Sequence, residues 1–408
     1  MKFIFISSPS FEPWDWTNPD VQGIGGSETS HIEMSNRLAD RGHSVYSYAP
    51  TSFEGARPNP HGVIWDQCKY ADASHDGVWI VYRDPQVIDG IPEGQPIWLI
   101  CQDVDYPTLD EARAKRLTRL VGLCETHGRY LRSRYPFAAD KVCISSNGIK
   151  SEEIARALAD PPVRNRKRLM YASSPDRGLL YLAMIFQRAR ELRPDLELHV
   201  YYGFDNIEKI IDKFPGVRKK TNEIRKMLDQ PGLEFHGRMG QPELIREWLK
   251  AGIWCHPSSF AETSCITCMD AQALGAIPIT TPTWAIGDNV RHGVFIEGDP
   301  YNCKLTRARY VLELMKLVND PIRQEGIRES MMPWAQAKFG WENFVDQWEA
   351  WATFDSNFRP GDSADYGFEH GWTEDDADNA LYQRCRVSVD PALISQSVGM
   401  FNTEGMFK

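Results

Sequence analysis

Two carboxylates separated by seven residues stand in a segment whose pattern predicts a strand, a loop and a helix. Glu262 lies in the predicted loop, and Asp270 lies in the helix predicted to begin near Ser264. Because helical side chains lean toward the helix N-terminus, Asp270 leans back toward the loop that holds Glu262. A carboxylate on the apolar face of a helix is costly unless a partner bonds to it, and sugar hydroxyls are suitable partners. Amides at the helix start can hold a diphosphate between the two acids, in the segment Ser264, Cys265, Ile266 and Thr267.

A glycine-rich segment, Gly23-Ile24-Gly25-Gly26-Ser27-Glu28, precedes another predicted helix. It superficially matches the start of a dinucleotide-binding fingerprint. However, Glu28 stands at the third glycine position, and a long segment separates the motif from the first strand, where that fingerprint needs a tight turn. We interpret the segment as a loop whose amides at Gly25 and Gly26 point into a cleft and favour a phosphate or a leaving-group charge. The alternative is a flexible loop in which Ser27 only caps the helix.

Two arginines follow predicted strands in the second half of the chain. Arg177 stands in Tyr171–Leu180 (YASSPDRGLL), and Arg238 stands in Phe235–Arg238 (FHGR). A guanidinium can bind phosphate oxygens through paired hydrogen bonds. The alternative for both arginines is an ordinary surface position in a turn.

The segment from Glu262 to Pro278 combines the two acids with a small residue, Ala-Leu-Gly and an apolar strand that contains proline. In this it resembles the E-x7-E signature of family 4 retaining glycosyltransferases, although Asp270 stands where the second glutamate is usual. The resemblance implies that Glu262 contacts the transferred sugar and that Asp270 contacts the ribose of the nucleotide. It also implies the GT-B architecture, in which two Rossmann-like α/β domains face an interdomain cleft.

Other segments resemble the same family in the same order, over about the first 350 residues. Tyr171–Leu180 is similar to the family's phosphate-binding strand, loop and helix, with Arg177 at its basic position. The resemblance implies that Arg177 and Arg238, together with helix amides, neutralise the diphosphate. Ala172 stands where an additional arginine is often found. Ser146–Ile149 (SNGI) resembles the end of the last strand of the family's first domain.

The chain departs from the family after the predicted strand Ile97–Cys101. Many members have a histidine there near the reacting sugar, whereas this chain has Gln102-Asp103. Asp103 and His127 are then the candidate polar groups near the sugar, and the alternative for His127 is a satisfied histidine at a helix start. Asp103-Val104-Asp105 also spells D-x-D, a metal–diphosphate motif of the other major glycosyltransferase fold. In a two-Rossmann protein we expect an acceptor-site or structural role for it, and activity without a metal or another cofactor.

The resemblance implies transfer of a sugar from a UDP- or GDP-type donor to an acceptor hydroxyl, with retention of the anomeric configuration. A glycan, a lipid-linked precursor, a protein and a modified nucleic acid all remain open as acceptors. Two alternatives are a sugar-nucleotide epimerase on the same fold and a catalytically idle sugar-binding protein. The expected catalytic residues are Glu262, Arg177, His127 and Asp103. The expected donor-binding residues are Gly25, Gly26, Arg177, Arg238, Glu262, Ser264, Cys265, Ile266, Thr267 and Asp270.

The net charge, the cysteines and the length of the apolar runs argue against several classes of protein. The 408 residues carry a formal net charge of −10, which argues against the general basic footprint of a nucleic-acid-binding protein. Nine cysteines without a disulfide framework or a zinc-ribbon spacing favour a reducing compartment. No apolar run reaches the length of a membrane span, and the chain start turns polar too early for a secretory signal. We therefore expect a cytoplasmic enzyme.

Strands alternating with helices must position these residues. Buried strands are predicted at Lys2–Ser8, His43–Ala49, Val78–Tyr82, Ile97–Cys101, Arg119–Cys124, Lys141–Ser146, Leu169–Ala172, Leu196–Tyr202, Leu233–His236, Ile253–His256 and Ile277–Thr281. Helices are predicted at Ser27–Arg41, Leu109–Lys115, Thr126–Arg134, Gly178–Leu192, Gln241–Ala251 and Ser264–Leu274. This alternation predicts two α/β halves, each with a parallel, doubly wound sheet whose ligands bind beyond the carboxyl ends of the strands.

The organisation into domains follows from breaks in this pattern. Pro161-Pro162 and the basic stretch Arg164–Arg168 indicate a linker between an acceptor-side domain, residues 1–163, and a nucleotide-sugar-binding domain, residues 164–340. The resemblance implies that residues 341–355 pack back onto the first domain. Residues 356–408 form an acidic extension, in which positions 361–380 hold seven acidic residues and no basic one.

Overall fold

The computed structural model describes residues 1–8, 12–211 and 215–357, and contains two predominantly parallel β-sheets with an apolar core on each face. The acidic segment at positions 361–380 lies outside the described residues. Among the helices of the described residues, none combines the length and the apolarity that a membrane span requires. The predicted α/β class with two doubly wound sheets is confirmed.

The first sheet has the strand order β3-β4-β2-β1-β5-β6-β7-β8, and all neighbours are parallel except β3 and β4. Its strands are β1 (Lys2–Ser7), β2 (Ser44–Ala49), β3 (Arg57–Pro58), β4 (Ile64–Gln67), β5 (Val78–Tyr82), β6 (Ile97–Ile100), β7 (Arg119–Gly122) and β8 (Val142–Ile144). Successive side chains of a strand point to opposite faces. Phe3 and Phe5 therefore enter one core of this sheet, while Ile4 and Ile6 enter the other.

Five α-helices follow strands or loops of this first half. They are α1 (Asn18–Val21), α2 (Gly26–Asp40), α3 (Glu111–Arg116), α4 (Glu125–Arg134) and α5 (Ser151–Ala159). The last of them packs elsewhere, because Ile154 is buried in a core of the second sheet together with Ile245 and Trp248.

The second sheet has the order β11-β10-β9-β12-β13-β14 and is parallel throughout. Its strands are β9 (Asn165–Tyr171), β10 (Glu197–Tyr201), β11 (Leu233–Gly237), β12 (Ala251–His256), β13 (Ile277–Thr280) and β14 (Val294–Phe295). Its helices are α6 (Leu179–Leu192), α7 (Asp205–Ile211), α8 (Pro215–Leu228), α9 (Gln241–Lys250), α10 (Ile266–Ala273), α11 (Ala285–Asn289), α12 (Lys304–Val318) and α13 (Pro321–Phe339). This strand order is that of a Rossmann-type sheet, and its ligands bind where the order reverses.

The predicted start of one strand, at Leu169, is wrong. The basic stretch assigned to a linker continues as strand from Asn165, and β9 lies at the centre of the second sheet between β10 and β12. The charges are tolerated because this end of β9 is only partly buried. Arg166 contacts Glu325 at 2.9 Å, and the guanidinium of Arg168 binds Glu247 and the hydroxyl of Tyr201.

The long helix α14 (Trp341–Asn357) returns to the first sheet. Trp341, Trp348 and Trp351 are buried there beside β1, β5 and β6 residues such as Phe5 and Ile80. Near the end of the helix, Asp355 accepts two hydrogen bonds from Arg119 at 2.7 and 2.8 Å and one from Trp98 Nε1 at 2.7 Å. Both partners of this ion pair are buried, so the helix is part of the first core.

The loops at the two points of strand-order reversal face each other. In the first sheet these loops follow β1 and β5, and in the second sheet they follow β9 and β12. Hydrogen bonds join the halves directly. Among them, Thr263 Oγ1 donates to the carbonyl of Gln102 at 2.9 Å, and the amide and hydroxyl of Thr126 donate to Asp288 at 2.7 and 3.0 Å. The space between these loops is an interdomain cleft.

Candidate active site

The cleft contains residues from both sheets and includes eleven of the twelve predicted site residues. The predicted residues that line it are Gly25, Gly26, Asp103, Arg177, Arg238, Glu262, Ser264, Cys265, Ile266, Thr267 and Asp270. They come from five segments of the chain, at positions 25–26, 103, 177, 238 and 262–270, and the tertiary structure brings these segments together.

The start of α10 forms the floor of the cleft on the second domain. Cys265, immediately before the helix, has a φ of +64°, a left-handed conformation that costs a non-glycine residue energy and is concentrated at functional sites. The Ser264 hydroxyl is buried without a hydrogen-bond partner and lines the cleft. Asn289 Nδ2 fixes the backbone by donating to the Ser264 carbonyl at 2.7 Å. The helix start therefore presents a constrained backbone and a free hydroxyl to the cleft.

Glu262 and Arg177 meet in the cleft. Glu262 Oε1 lies 3.6 Å from Arg177 Nη1, and the Arg177 guanidinium also lies over the ring of Phe260, 3.1 Å from its centroid. Burial raises the pKa of the Glu262 carboxyl, and the Arg177 charge opposes that rise. The turn after Arg177 requires glycine, because Gly178 has a φ of +116° and an added Cβ would lie 2.3 Å from the Pro257 carbonyl.

Asp270 is buried one turn into α10 and borders the cleft. Burial raises the pKa of its carboxyl to about 7, whereas the charge of Lys150 acts to lower it. A carboxylate in this position is costly for the free protein and is compensated when a ligand donates hydrogen bonds to it.

The first domain contributes a second charged group that sequence analysis missed. Glu28 and Arg83 line the cleft. Arg83 has a φ of +69°, lies 3.8 Å from Glu28, and donates to both oxygens of Asp103 at 2.7 and 2.8 Å. Burial raises the pKa of Glu28. The position of Glu28 after the glycine pair was the available signal; nothing in the sequence around Arg83 indicated a cleft residue.

The two glycines of the Gly-rich loop are positioned by close neighbours. A Cβ added to Gly25 would lie 2.4 Å from Glu28 Oε2, and one added to Gly26 would lie 3.4 Å from Ile266 Cδ1 of the other domain. Gly25 is the N-cap residue of α2, and no side-chain hydrogen bond caps that helix. The loop thus brings a helix N-terminus to the interdomain cleft.

Arg238 connects the two sides of the cleft. Its guanidinium donates to Glu12 Oε1 at 3.0 Å and to the Gly23 carbonyl at 3.0 Å. Next to it, Tyr202 lines the cleft with a φ of +130°. Arg238 therefore already has acceptors from the first domain in this structure.

His127 is the predicted site residue that the structure does not bring to the cleft lining. Its ring is fully buried, and Nδ1 accepts a hydrogen bond from the Leu123 amide at 3.3 Å. Trp284 packs beside it, with 6.3 Å between the ring centroids. Burial lowers the pKa of His127 to about 4, so the imidazole is neutral at pH 7.

The D-x-D segment separates into two unlike environments. Asp103 faces the cleft and binds Arg83, whereas Asp105 accepts from Tyr130 Oη at 2.7 Å and from Arg134 at 3.1 Å. Each carboxylate is therefore engaged by an arginine, and the two do not share one set of partners.

No protein-family model matches the chain. A D-inositol 3-phosphate glycosyltransferase of Catenulispora acidiphila is 24% identical over 246 residues, and the match spans 56% of this chain and 55% of that relative. The chain thus matches about half the length of this curated relative.

Solved structures agree with the chain over much of its length. A sucrose-phosphate synthase of Thermosynechococcus elongatus has a TM-score of 0.64 at 13% identity, covering 87% of this chain and 99% of its own. The Anabaena protein Alr3699/HepE, in complex with UDP and glucose, has a TM-score of 0.61 at 14% identity, covering 86% and 99%. Starch synthase IV of Arabidopsis thaliana, bound to ADP and acarbose, has a TM-score of 0.58 at 11% identity, covering 86% and 99%. The chain shares with these proteins the two-sheet architecture of GT-B glycosyltransferases.

Proposed function

We propose that the chain is a glycosyltransferase that transfers a sugar from a UDP- or GDP-type donor to an acceptor hydroxyl with retention at the anomeric carbon. The observation that carries this proposal is the placement of two carboxylates, the partly buried Glu262 and the buried Asp270, on either side of the start of α10 in a cleft between two Rossmann-type sheets. Such a pair brackets one ligand that has polar groups at both ends and negative charge in the middle.

The donor fits this arrangement in one direction. Glu262 accepts from hydroxyls of the transferred sugar, and Asp270 accepts from the ribose of the nucleotide. The diphosphate lies between them at the α10 N-terminus, where backbone amides and the Ser264 hydroxyl supply donors. Arg177, 3.6 Å from Glu262, supplies the positive charge. The nucleoside diphosphates bound in the HepE and starch synthase structures support a ligand of this class.

In the transfer step, the bond between the anomeric carbon and the diphosphate oxygen breaks, and a bond from the acceptor oxygen to the same carbon forms on the same face. The acceptor proton passes to the departing phosphate oxygen. The protein lowers the barrier by stabilising the negative charge that develops on the diphosphate, through the α10 amides and Arg177. We propose that these groups act without a metal ion.

The acceptor enters from the first domain. Gly25, Gly26, Glu28 and Asp103 line that side of the cleft, and Asp103 is oriented by its two hydrogen bonds from Arg83. We assign to Asp103 a role in positioning the acceptor hydroxyl. His127 has no direct part in this mechanism because its buried ring does not line the cleft.

The test is a panel of nucleotide sugars incubated with the full chain, with and without pooled acceptors, followed by mass spectrometry of products. Acceptor-dependent release of nucleoside diphosphate and a product heavier by one sugar are expected, and the anomeric coupling constant of that product by NMR reports retention. Interconversion of sugar nucleotides without an acceptor would instead indicate an epimerase. Tight donor binding without any product would indicate an idle sugar-binding protein.

A further inference from the structure

A group of metal-ligating side chains lies at the edge of the second sheet, outside the cleft lining. His199 on β10 is paired in register with Glu234 on β11, the outermost strand, and His236 follows Glu234 by two residues on the same face. Parallel strands therefore place two imidazoles and one carboxylate side by side. This group is the only one of its kind found among the described residues.

The three side chains form a compact triangle. His199 Nδ1 lies 3.0 Å from His236 Nε2 and 3.6 Å from Glu234 Oε2, and His236 Nε2 lies 3.7 Å from the same oxygen. A tetrahedral zinc ion with bonds of about 2.0–2.1 Å to its ligands separates those ligands by about 3.3–3.5 Å. The three edges of the triangle average to that separation, so one ion fits with small adjustments of the exposed Glu234 and His236 side chains.

The surroundings orient the buried ligand as metal sites do. His199 is buried, and its second ring nitrogen, Nε2, has no hydrogen bond but lies 3.6 Å from Glu197 Oε2. Asn165 Nδ2 donates to the same Glu197 oxygen at 3.0 Å and holds it in place. A histidine that binds metal through one nitrogen commonly directs the other toward a carboxylate, which fixes its tautomer and raises its basicity.

The second imidazole is held by packing. The ring of His236 stacks on Tyr201 with 4.5 Å between centroids and an interplanar angle of 6°. Tyr201 Oη in turn donates to Glu247 at 2.7 Å, and Glu247 also pairs with Arg168, the nearby cation. Because Arg168 is neutralised in this way, its charge is a weaker obstacle to a bound cation.

We propose that His199, Glu234 and His236 bind one Zn²⁺ ion, with water in the fourth position. Two imidazoles and a carboxylate suit zinc rather than magnesium or calcium, which prefer oxygen ligands. The ion joins the edge strand β11 to its neighbour β10. Since Arg238 lies two residues beyond His236 and lines the cleft, the metal stiffens the strand end that carries this arginine. The proposal does not depend on the proposed transfer reaction.

The experiment uses the full chain with affinity tags removed. Zinc is added to metal-free protein, binding is followed by calorimetry, and Co²⁺ is used as a spectroscopic substitute whose visible absorption reports tetrahedral coordination. One Zn²⁺ per chain, a rise in melting temperature and a tetrahedral Co²⁺ spectrum are expected. Glu234→Gln and His236→Ala, both at exposed positions, should each weaken Zn²⁺ binding at least tenfold.

The matched control is His61→Ala, an exposed histidine that pairs with a carboxylate, Asp40, in the first half of the chain. This variant should bind Zn²⁺ as the unsubstituted protein does. Equal Zn²⁺ affinity in the His236→Ala, Glu234→Gln and unsubstituted proteins would overturn the proposal, because binding would then belong to cysteines or other surface groups. A chain that binds no Zn²⁺ in the micromolar range would overturn it as well, and the two rings would then simply share a hydrogen bond.

Discussion

Arg177 Nη1 lies 3.6 Å from Glu262 Oε1 at the carboxyl ends of β9 and β12. In the proposed complex, this ion pair lies where the sugar of the donor is joined to the diphosphate. The ring of Phe260 packs against the face of the Arg177 guanidinium. A donor must therefore enter beside a carboxylate and a guanidinium that already contact each other. Substitutions of Glu262 and Asp270 can separate the two roles assigned to the acids.

Glu262→Gln retains the size of the side chain but removes its charge, and we expect turnover to fall roughly ten- to several-hundred-fold. A lost charged hydrogen bond costs about 1.5–3 kcal/mol, more if the contact tightens in the transition state, and about 1.4 kcal/mol corresponds to a factor of ten. Affinity for the bare nucleoside diphosphate should change little because that product lacks the sugar. Steady-state kinetics and calorimetry measure the two quantities.

The control is Glu243→Gln, an exposed glutamate on α9, which should leave both quantities unchanged. The melting temperature of each variant tests for loss of the fold. A folded Glu262→Gln variant with full turnover would show that Glu262 does not contact the transferred sugar.

Asp270→Asn should weaken the sugar nucleotide and the bare nucleotide alike, since both carry the ribose. We expect a loss of affinity of about tenfold or more, from one charged hydrogen bond at about 1.5–3 kcal/mol. Calorimetric titration with both ligands measures it. If Asp270→Asn and Glu262→Gln reduced nucleotide binding equally, the assignment of ribose to one acid and sugar to the other would be wrong.

The raised pKa of Asp270 also predicts how the stability of the free protein depends on pH. Its folded-state pKa of about 7 exceeds the ordinary value of 3.8, so the folded state binds the proton more tightly. The free energy of unfolding should therefore decrease as the pH rises from about 4 to about 7, by up to about 4 kcal/mol at 1.4 kcal/mol per unit. Asp270→Asn removes this term, and its melting temperature relative to the unsubstituted protein should be higher at pH 8 than at pH 5. A difference independent of pH would contradict the assignment.

Turnover should survive chelation at 25 °C, because helix amides and Arg177 perform the role that a cation has in metal-dependent transferases. EDTA should lower the melting temperature if the edge of the second sheet holds zinc, without a matching loss of initial rate. Loss of turnover that Mn²⁺ restores would instead assign a metal to the diphosphate and would draw attention to Asp103.

Asp355→Ala should destabilise the protein by about 3–5 kcal/mol, since it leaves the buried Arg119 guanidinium without its carboxylate. Asp346→Ala on the same helix is the control, because Asp346 is two-thirds exposed and its removal should cost less than about 1 kcal/mol. Urea unfolding compares the two. Similar midpoints for both variants would show that the Asp355 pair does not support the first core.

The strands were largely predictable because parallel strands buried on both faces are continuous apolar runs, and β5 and β13 show this clearly. The basic half of β9 was not predictable as a strand. Its backbone pairs with β10 and β12 beyond the part of the sheet that the apolar cores cover. The residue pattern of the strand alone does not show where this cover ends. Residues 304–339, for which the sequence analysis predicts no element, form the helices α12 and α13 in the structure.

The candidate site was predictable where its signal is local. Glu262, Asp270 and the residues between them share one loop and helix, so their spacing alone indicates proximity. Glu28 and Arg83 meet only because β1 and β5 are neighbours in the sheet, which their own segments do not reveal. His127 lies in the first turn of α4, near the cleft, but the Leu123 amide binds its ring and Trp284 packs beside it. The sequence around His127 does not reveal that these contacts bury the ring.

The return of α14 to the first sheet constrains the order in which a newly made chain can fold. Asp355 lies 236 residues after its partner Arg119, and the tryptophans that close this core come after position 340. While the ribosome is still adding residues of the second domain, one apolar face of the first sheet is uncovered, and Arg119 on that face lacks its carboxylate partner. The amino-terminal half, although made first, thus completes its fold last. Chains arrested at residue 340 should be cleaved rapidly in the first domain by protease, and chains that extend past residue 357 with their ends outside the ribosome should resist.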